Sequence, residues 1–91
     1  MVMIEEELIK KVMVILTDWN PLGSRASTIS DLDNYRIEAI DILCHFDLNK
    51  TNTTLIVREV INQAFDLSLS KAECASVGRK IQDLIKKEKT F

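Results

Sequence analysis

Two glycines and one proline punctuate all 91 residues of this chain. A β-sandwich or barrel needs turn chemistry at nearly every hairpin. Here Pro21, Gly23 and Gly78 are the only prolines and glycines to supply it. The chain must be built from long self-contained elements, which points to helices. With 46% apolar and 29% charged residues, it has enough apolar material for one core. We read residues 1–91 as a single all-α domain, an antiparallel four-helix bundle. Its longest unbroken apolar run, Val12 to Leu16, is far short of the roughly 20 residues of a membrane span.

Apolar periodicity places the helices. In a first segment, about 3–18, Ile4, Leu8, Val12, Ile15, Leu16 and Trp19 recur every three or four residues. Glu5, Glu6 and Glu7 suit its positive N-terminal end, and Pro21 and Gly23 stop it near Trp19. Residues 20–30 read as an irregular surface loop rich in Ser and Thr. The second helix is expected over about 31–46, with Ser30 as N-cap and Asp31 and Asp33 in its first turn. Leu32, Tyr35, Ala39, Ile42, Leu43 and Phe46 form one stripe, and Ile37, Ile40 and Cys44 a second, which predicts contacts on two sides. A third helix over about 53–65 buries Val57, Val60, Ile61, Ala64 and Phe65. Ser70 and Glu73 form a capping box for a fourth, which buries Cys74, Val77, Gly78, Ile81, Leu84 and Ile85. Gly78 on an apolar face predicts close approach by a ring, Trp19 or Phe65.

Several chemistries fail on spacing. Cys44 and Cys74 make no C-x-x-C pair, and both read as small buried hydrophobes. Glu38 and His45 are seven apart and miss the Glu-x-x-His spacing of two-iron bundles. No glycine-rich phosphate cradle is present. We expect no catalytic residues, no metal and no cofactor. An acidic N-terminal stretch, the reverse of a secretory signal, predicts a cytoplasmic protein.

Charge is the remaining clue. Residues 1–48 carry nine acids against four bases, and residues 49–91 carry eight bases against five acids. On the outward edge of the second helix, Asn34, Glu38, Asp41 and His45 share a face that Asp31 and Asp33 extend. These six are the candidate partner-binding residues, an acidic patch able to steer a basic protein. Met13 and Val14, on the margin of the first helix, are the alternative surface. Lys71, Arg79, Lys80, Lys86 and Lys87 are the basis of an alternative function, a nucleic-acid-associated regulator. Val14 and Leu55 are apolar leftovers that keep self-association open.

The stretch Trp19-Asn20-Pro21-Leu22-Gly23, followed by Tyr35-x-x-Glu38-Ala39, resembles a family of small bacterial helical proteins of unknown function. Their pattern is W-[D/N]-P-[L/I]-G, a loop, then Y-x-x-E-[A/I]. The likeness spans most of the chain. It departs after the third helix, where the family has Phe-Gly and this chain has Phe65-Asp66-Leu67. The resemblance implies a four-helix fold. In some relatives it implies an immunity role against polymorphic toxins, including those of contact-dependent growth inhibition. Such a protein is a monomer that binds a basic toxin nuclease domain stoichiometrically as a heterodimer, with no membrane partner. Trp19, Pro21 and Gly23 are read as structural, and the Tyr35 hydroxyl is expected to reach the loop backbone. Glu38 either faces the partner or caps that loop.

Overall fold

A computed structural model describes residues 6–29, 32–49 and 52–88. Ile4, Ser30, Asp31 and Lys89 lie outside the described residues. The chain is all-α: α1 (Glu6–Trp19), α2 (Arg36–Asn49), α3 (Thr53–Phe65) and α4 (Lys71–Glu88), with 3-10 turns at Gly23–Thr28 and Asp33–Tyr35. No strand occurs among the described residues.

Helix α1 ends where Pro21 requires it. Asn20 N–H closes the last turn on the Leu16 carbonyl at 2.8 Å, and Asn20 swings left-handed, φ 48°. A left-handed residue terminates many helices, and Asn tolerates that region better than most. Gly23 also has positive φ, 60°, and a Cβ there would meet nothing within 4 Å, so conformation and not crowding calls for glycine. The expected irregular loop instead winds up over Gly23–Thr28. Its hydroxyls bond back three residues, Ser27 Oγ to the Ser24 carbonyl (2.9 Å) and Thr28 Oγ1 to that of Arg25 (2.7 Å). Such local side-chain bonds favour a tight turn where propensity reads only "loop".

The start of the second helix corrects the sequence expectation more sharply. Helix α2 begins at Arg36, five residues after Asp31. Before it, Asp33, Asn34 and Tyr35 all have positive φ (47°, 56° and 65°), a left-handed turn closed by Tyr35 N–H on the Leu32 carbonyl at 3.0 Å. Left-handed backbone costs about 1–2 kcal/mol per L-residue. Asp and Asn soften that cost, and Tyr35 is held there by what its side chain does.

Helices α3 and α4 form a tightly tied hairpin. Asn52 caps α3 by accepting from Thr54 N–H at 2.9 Å. The capping box of α4 is present in both directions, Ser70 N–H to Glu73 Oε2 (2.6 Å) and Glu73 N–H to Ser70 Oγ (3.2 Å). Asn62 of α3 grips the connection. Its amide accepts from Leu69 N–H (2.9 Å) and donates to the Leu69 carbonyl (3.2 Å), to which Arg58 Nε also donates (3.0 Å). Asp66 ends α3 in the left-handed region, φ 54°, and both Asp66 and Leu67 N–H groups donate to the Asn62 carbonyl. This is the position where the resembled family carries glycine. Asp66→Gly should therefore stabilise the protein by about 1 kcal/mol, read as a rise in the midpoint of urea unfolding with an unchanged slope.

The helices in contact are α1 with α2, α2 with α3, α3 with α4, and α4 with α1. Between them Val12, Leu16, Ala39, Ile42, Val57, Ile61, Cys74 and Ile81 are fully buried. Tyr35 is buried with them and meets Phe65 edge-on, ring centroids 6.0 Å apart at 88°. Three expectations need correction. Ala64 is exposed. Ile37, placed in a second buried stripe, is 58% exposed, while Ile40 of that stripe packs partly on the core. No ring packs on Gly78: the backbone of Thr54 occupies that space, and a Cβ at 78 would come within 2.7 Å of Thr54 Cα.

Candidate partner-binding surface

The single acidic face expected on the second helix does not form. Asp33 and Asn34 are exposed but sit in the left-handed turn, off the helix. Glu38 is turned inward and is only 8% exposed, because its place on the α2 wheel adjoins the buried arc of Ala39 and Ile42. Asp41 and His45 remain exposed on α2. Asp31 lies outside the described residues.

Asn34 instead borders two adjoining hollows. The larger, about 670 Å³, is lined by Lys10, Met13, Val14, Thr17, Asp18, Asn20 and Asn34. The second, about 420 Å³, shares Thr17, Asn20 and Asn34 and adds Ile29, Leu32, Asp33 and Tyr35. At the first hollow Val14 is 67% exposed on the side of α1 facing away from Val12 and Leu16. Asp18 and Asp33 give the pair of hollows an acidic margin, against one base, Lys10. In the sequence alone, Met13 and Val14 rank second to the acidic edge of the second helix. The available signal was an apolar Val14 opposite the buried stripe of its own helix.

Tyr35 holds this surface in shape. Its hydroxyl donates to Asn20 Oδ1 at 2.7 Å and accepts from the buried Leu22 N–H at 3.4 Å. Asn20 Nδ2 in turn donates to the Gly23 carbonyl (3.2 Å), and Thr17 Oγ1 donates to the Asn34 carbonyl (3.3 Å). The Trp19–Gly23 stretch and Tyr35, distant in sequence, are thus one hydrogen-bonded unit, as the tyrosine was expected to make them. Burial pushes the Tyr35 pKa up from 10.0, opposed by the Leu22 N–H and reinforced by the Glu38 carboxylate. The hydroxyl stays protonated and able to donate.

At the start of α2, next to Tyr35, Arg36 clamps Glu6 of the first turn of α1 with two hydrogen bonds, 2.5 and 2.7 Å. The hydrogen bond to Arg36, more than its charge, lowers the Glu6 pKa from 4.5. A lowered carboxylate stabilises the fold above its ordinary value, and that contribution is lost as pH falls through the lowered one. Glu6→Gln should flatten the pH dependence of Tm below 4.5 while leaving the neutral-pH helix content unchanged.

No group of three or more His, Cys, Asp or Glu is placed to hold a metal among the described residues. Both cysteines are free thiols. Cys74 is fully buried, with its pKa raised mainly by burial and also by the Glu73 charge, whereas Cys44 is half-buried and not fully enclosed as expected. Lys71, Arg79, Lys80, Lys86 and Lys87 are exposed on α4. No helix among the described residues is long and apolar enough to cross a membrane. No family model matches the chain, and no curated protein and no solved structure is significantly similar to it.

Proposed function

We propose that this protein is a bacterial immunity protein, an antiparallel four-helix bundle that neutralises a toxin nuclease domain by stoichiometric binding in the cytoplasm. The observation that carries this reading is the hollow of about 670 Å³, where exposed Val14 and Asp18 line a wall shared with Asn20, which the Tyr35 hydroxyl holds. An apolar anchor inside a polar rim is the usual anatomy of a protein interface. Nuclease domains that handle RNA or DNA present basic surfaces, and a carboxylate margin complements them. The resemblance in Trp19–Gly23 and Tyr35-x-x-Glu38 supports the same role. Asp33 and Asn34 join the interface from the left-handed turn, and Asp41 and His45 extend it along α2. Glu38 acts from inside, near Tyr35.

Such binding works by occlusion and requires no chemistry from this chain. The complex buries about 1,600 Å² in total. Charge complementarity raises its association rate, and salt lowers it. Val14→Lys combined with Asp18→Lys should abolish protection of cells that express the toxin domain, with circular dichroism unchanged. Full protection by that variant would refute the assignment of the surface. The basic face of α4 supports the alternative, a nucleic-acid-associated regulator, which predicts a gel shift at about 50 mM salt that disappears steeply as salt rises.

A further inference from the structure

Helix α2 carries an outer apolar stripe that no described element fully covers: Ile40 packs partly on the core, and Ile37 stands exposed. At about 100° per residue, Ile37, Ile40 and Cys44 fall within roughly 60° of arc, on the side opposite Ala39 and Ile42. Ile37 is 58% exposed, and Ile40 and Cys44 are half-buried. Their spacing of three and then four is that of a coiled-coil seam. Arg36 flanks the stripe on one edge and exposed Asp41 on the other. We infer that this protein pairs with a second copy of itself through the outer stripe of α2, with the two helices parallel. Charge decides the orientation. In a parallel pair, opposite edges meet, so Arg36 of each copy faces Asp41 of the other, five residues along, on both sides of the seam. An antiparallel pair would bring Arg36 edge to Arg36 edge and Asp41 edge to Asp41 edge. Arg36 uses two N–H donors on Glu6 and keeps others of its five for this contact. The stripe shares no residue with the hollows beside Val14, so the pairing leaves the hollows open and overlaps the proposed toxin surface only at the Asp41 edge.

The seam is short and well below a standard interface in area, so the test needs concentrated protein. Sedimentation of the full chain at about 0.1–1 mM under reducing conditions should show a monomer–dimer equilibrium. Ile37→Lys, an exposed position, should leave a monomer with native circular dichroism. Asp41→Arg should weaken the dimer at least about fivefold at low salt, because Arg then faces Arg. Parallel pairing also sets Cys44 against its copy. Mild oxidation with diamide, which takes up the two electrons and two protons released, should link Cys44 to Cys44 and spare Cys74, as mapped on peptides. Three results would overturn the inference: a monomer throughout the concentration range, a dimer indifferent to Ile37→Lys, or a dimer in which Cys44 pairs do not link.

Discussion

Gly78→Ala will destabilise this protein, although alanine is the better helix former. In the interior of α4 the exchange gains about 1 kcal/mol of propensity. Against that, the new Cβ would lie 2.6 Å from Thr54 Oγ1, 2.7 Å from Thr54 Cα and 2.9 Å from Thr54 N. The last two atoms are backbone in the first turn of α3, and that same N–H is held by the Asn52 cap. Relief requires α3 and α4 to move apart along their shared seam, opening the packing around Val57, Val77 and Ile81. Overpacking costs about 1–3 kcal/mol, and more against rigid backbone. We expect a net loss of at least about 2 kcal/mol, which at this size lowers Tm by roughly 8–16 °C. Adding Thr54→Ala removes only the Oγ1 contact and should not restore stability. A Tm equal to or above that of the parent would show that the helices do not approach this closely.

Tyr35→Phe is the second large effect, and it links fold to function. The ring still fills its site against Phe65, but buried Leu22 N–H and Asn20 Oδ1 lose their common partner. Stranding a buried donor costs about 1–3 kcal/mol. The loss is confined to the loop after α1, so hydrogen exchange should rise at Leu22 and Gly23 before it rises in α3 or α4. The variant should also bind its partner less well, because the wall of the hollow loosens. Tyr35 is the only tyrosine in the chain, so absorbance near 295 nm reports its ionisation alone. It should titrate above 10.0 in the folded protein, with stability lost as pH rises through that raised value. A normal titration together with a neutral Tyr35→Phe would contradict the buried hydrogen bonds.

The sequence was most informative where one physical cause acts locally. Pro21 ends α1, Ser70 and Glu73 cap α4, and apolar spacing finds the buried faces of α3 and α4. The Tyr35 hydroxyl was also foreseeable, because a buried phenol needs partners and the polar loop was the place to find them. The entry to α2 is ambiguous in the sequence because Asp and Asn suit two roles, a helix N-terminus and left-handed backbone. Only the tertiary demand on Tyr35 chooses between them. That choice removes Asp33 and Asn34 from the helix and dissolves the acidic face. Likewise, glycine at 78 advertises a close approach without naming the neighbour. The amide of Asn62 fits solvent or the Leu69 backbone equally well until the hairpin closes.

The most direct test of the central claim is co-expression. The protein is produced with the C-terminal domain of the polypeptide encoded next to it, and growth and complex formation are scored together. The account predicts that the domain alone arrests growth. Adding this protein should restore growth through a one-to-one complex, and Val14→Lys with Asp18→Lys should abolish both effects. A neighbour that does no harm, or a toxic one that neither binds nor is neutralised, would contradict it.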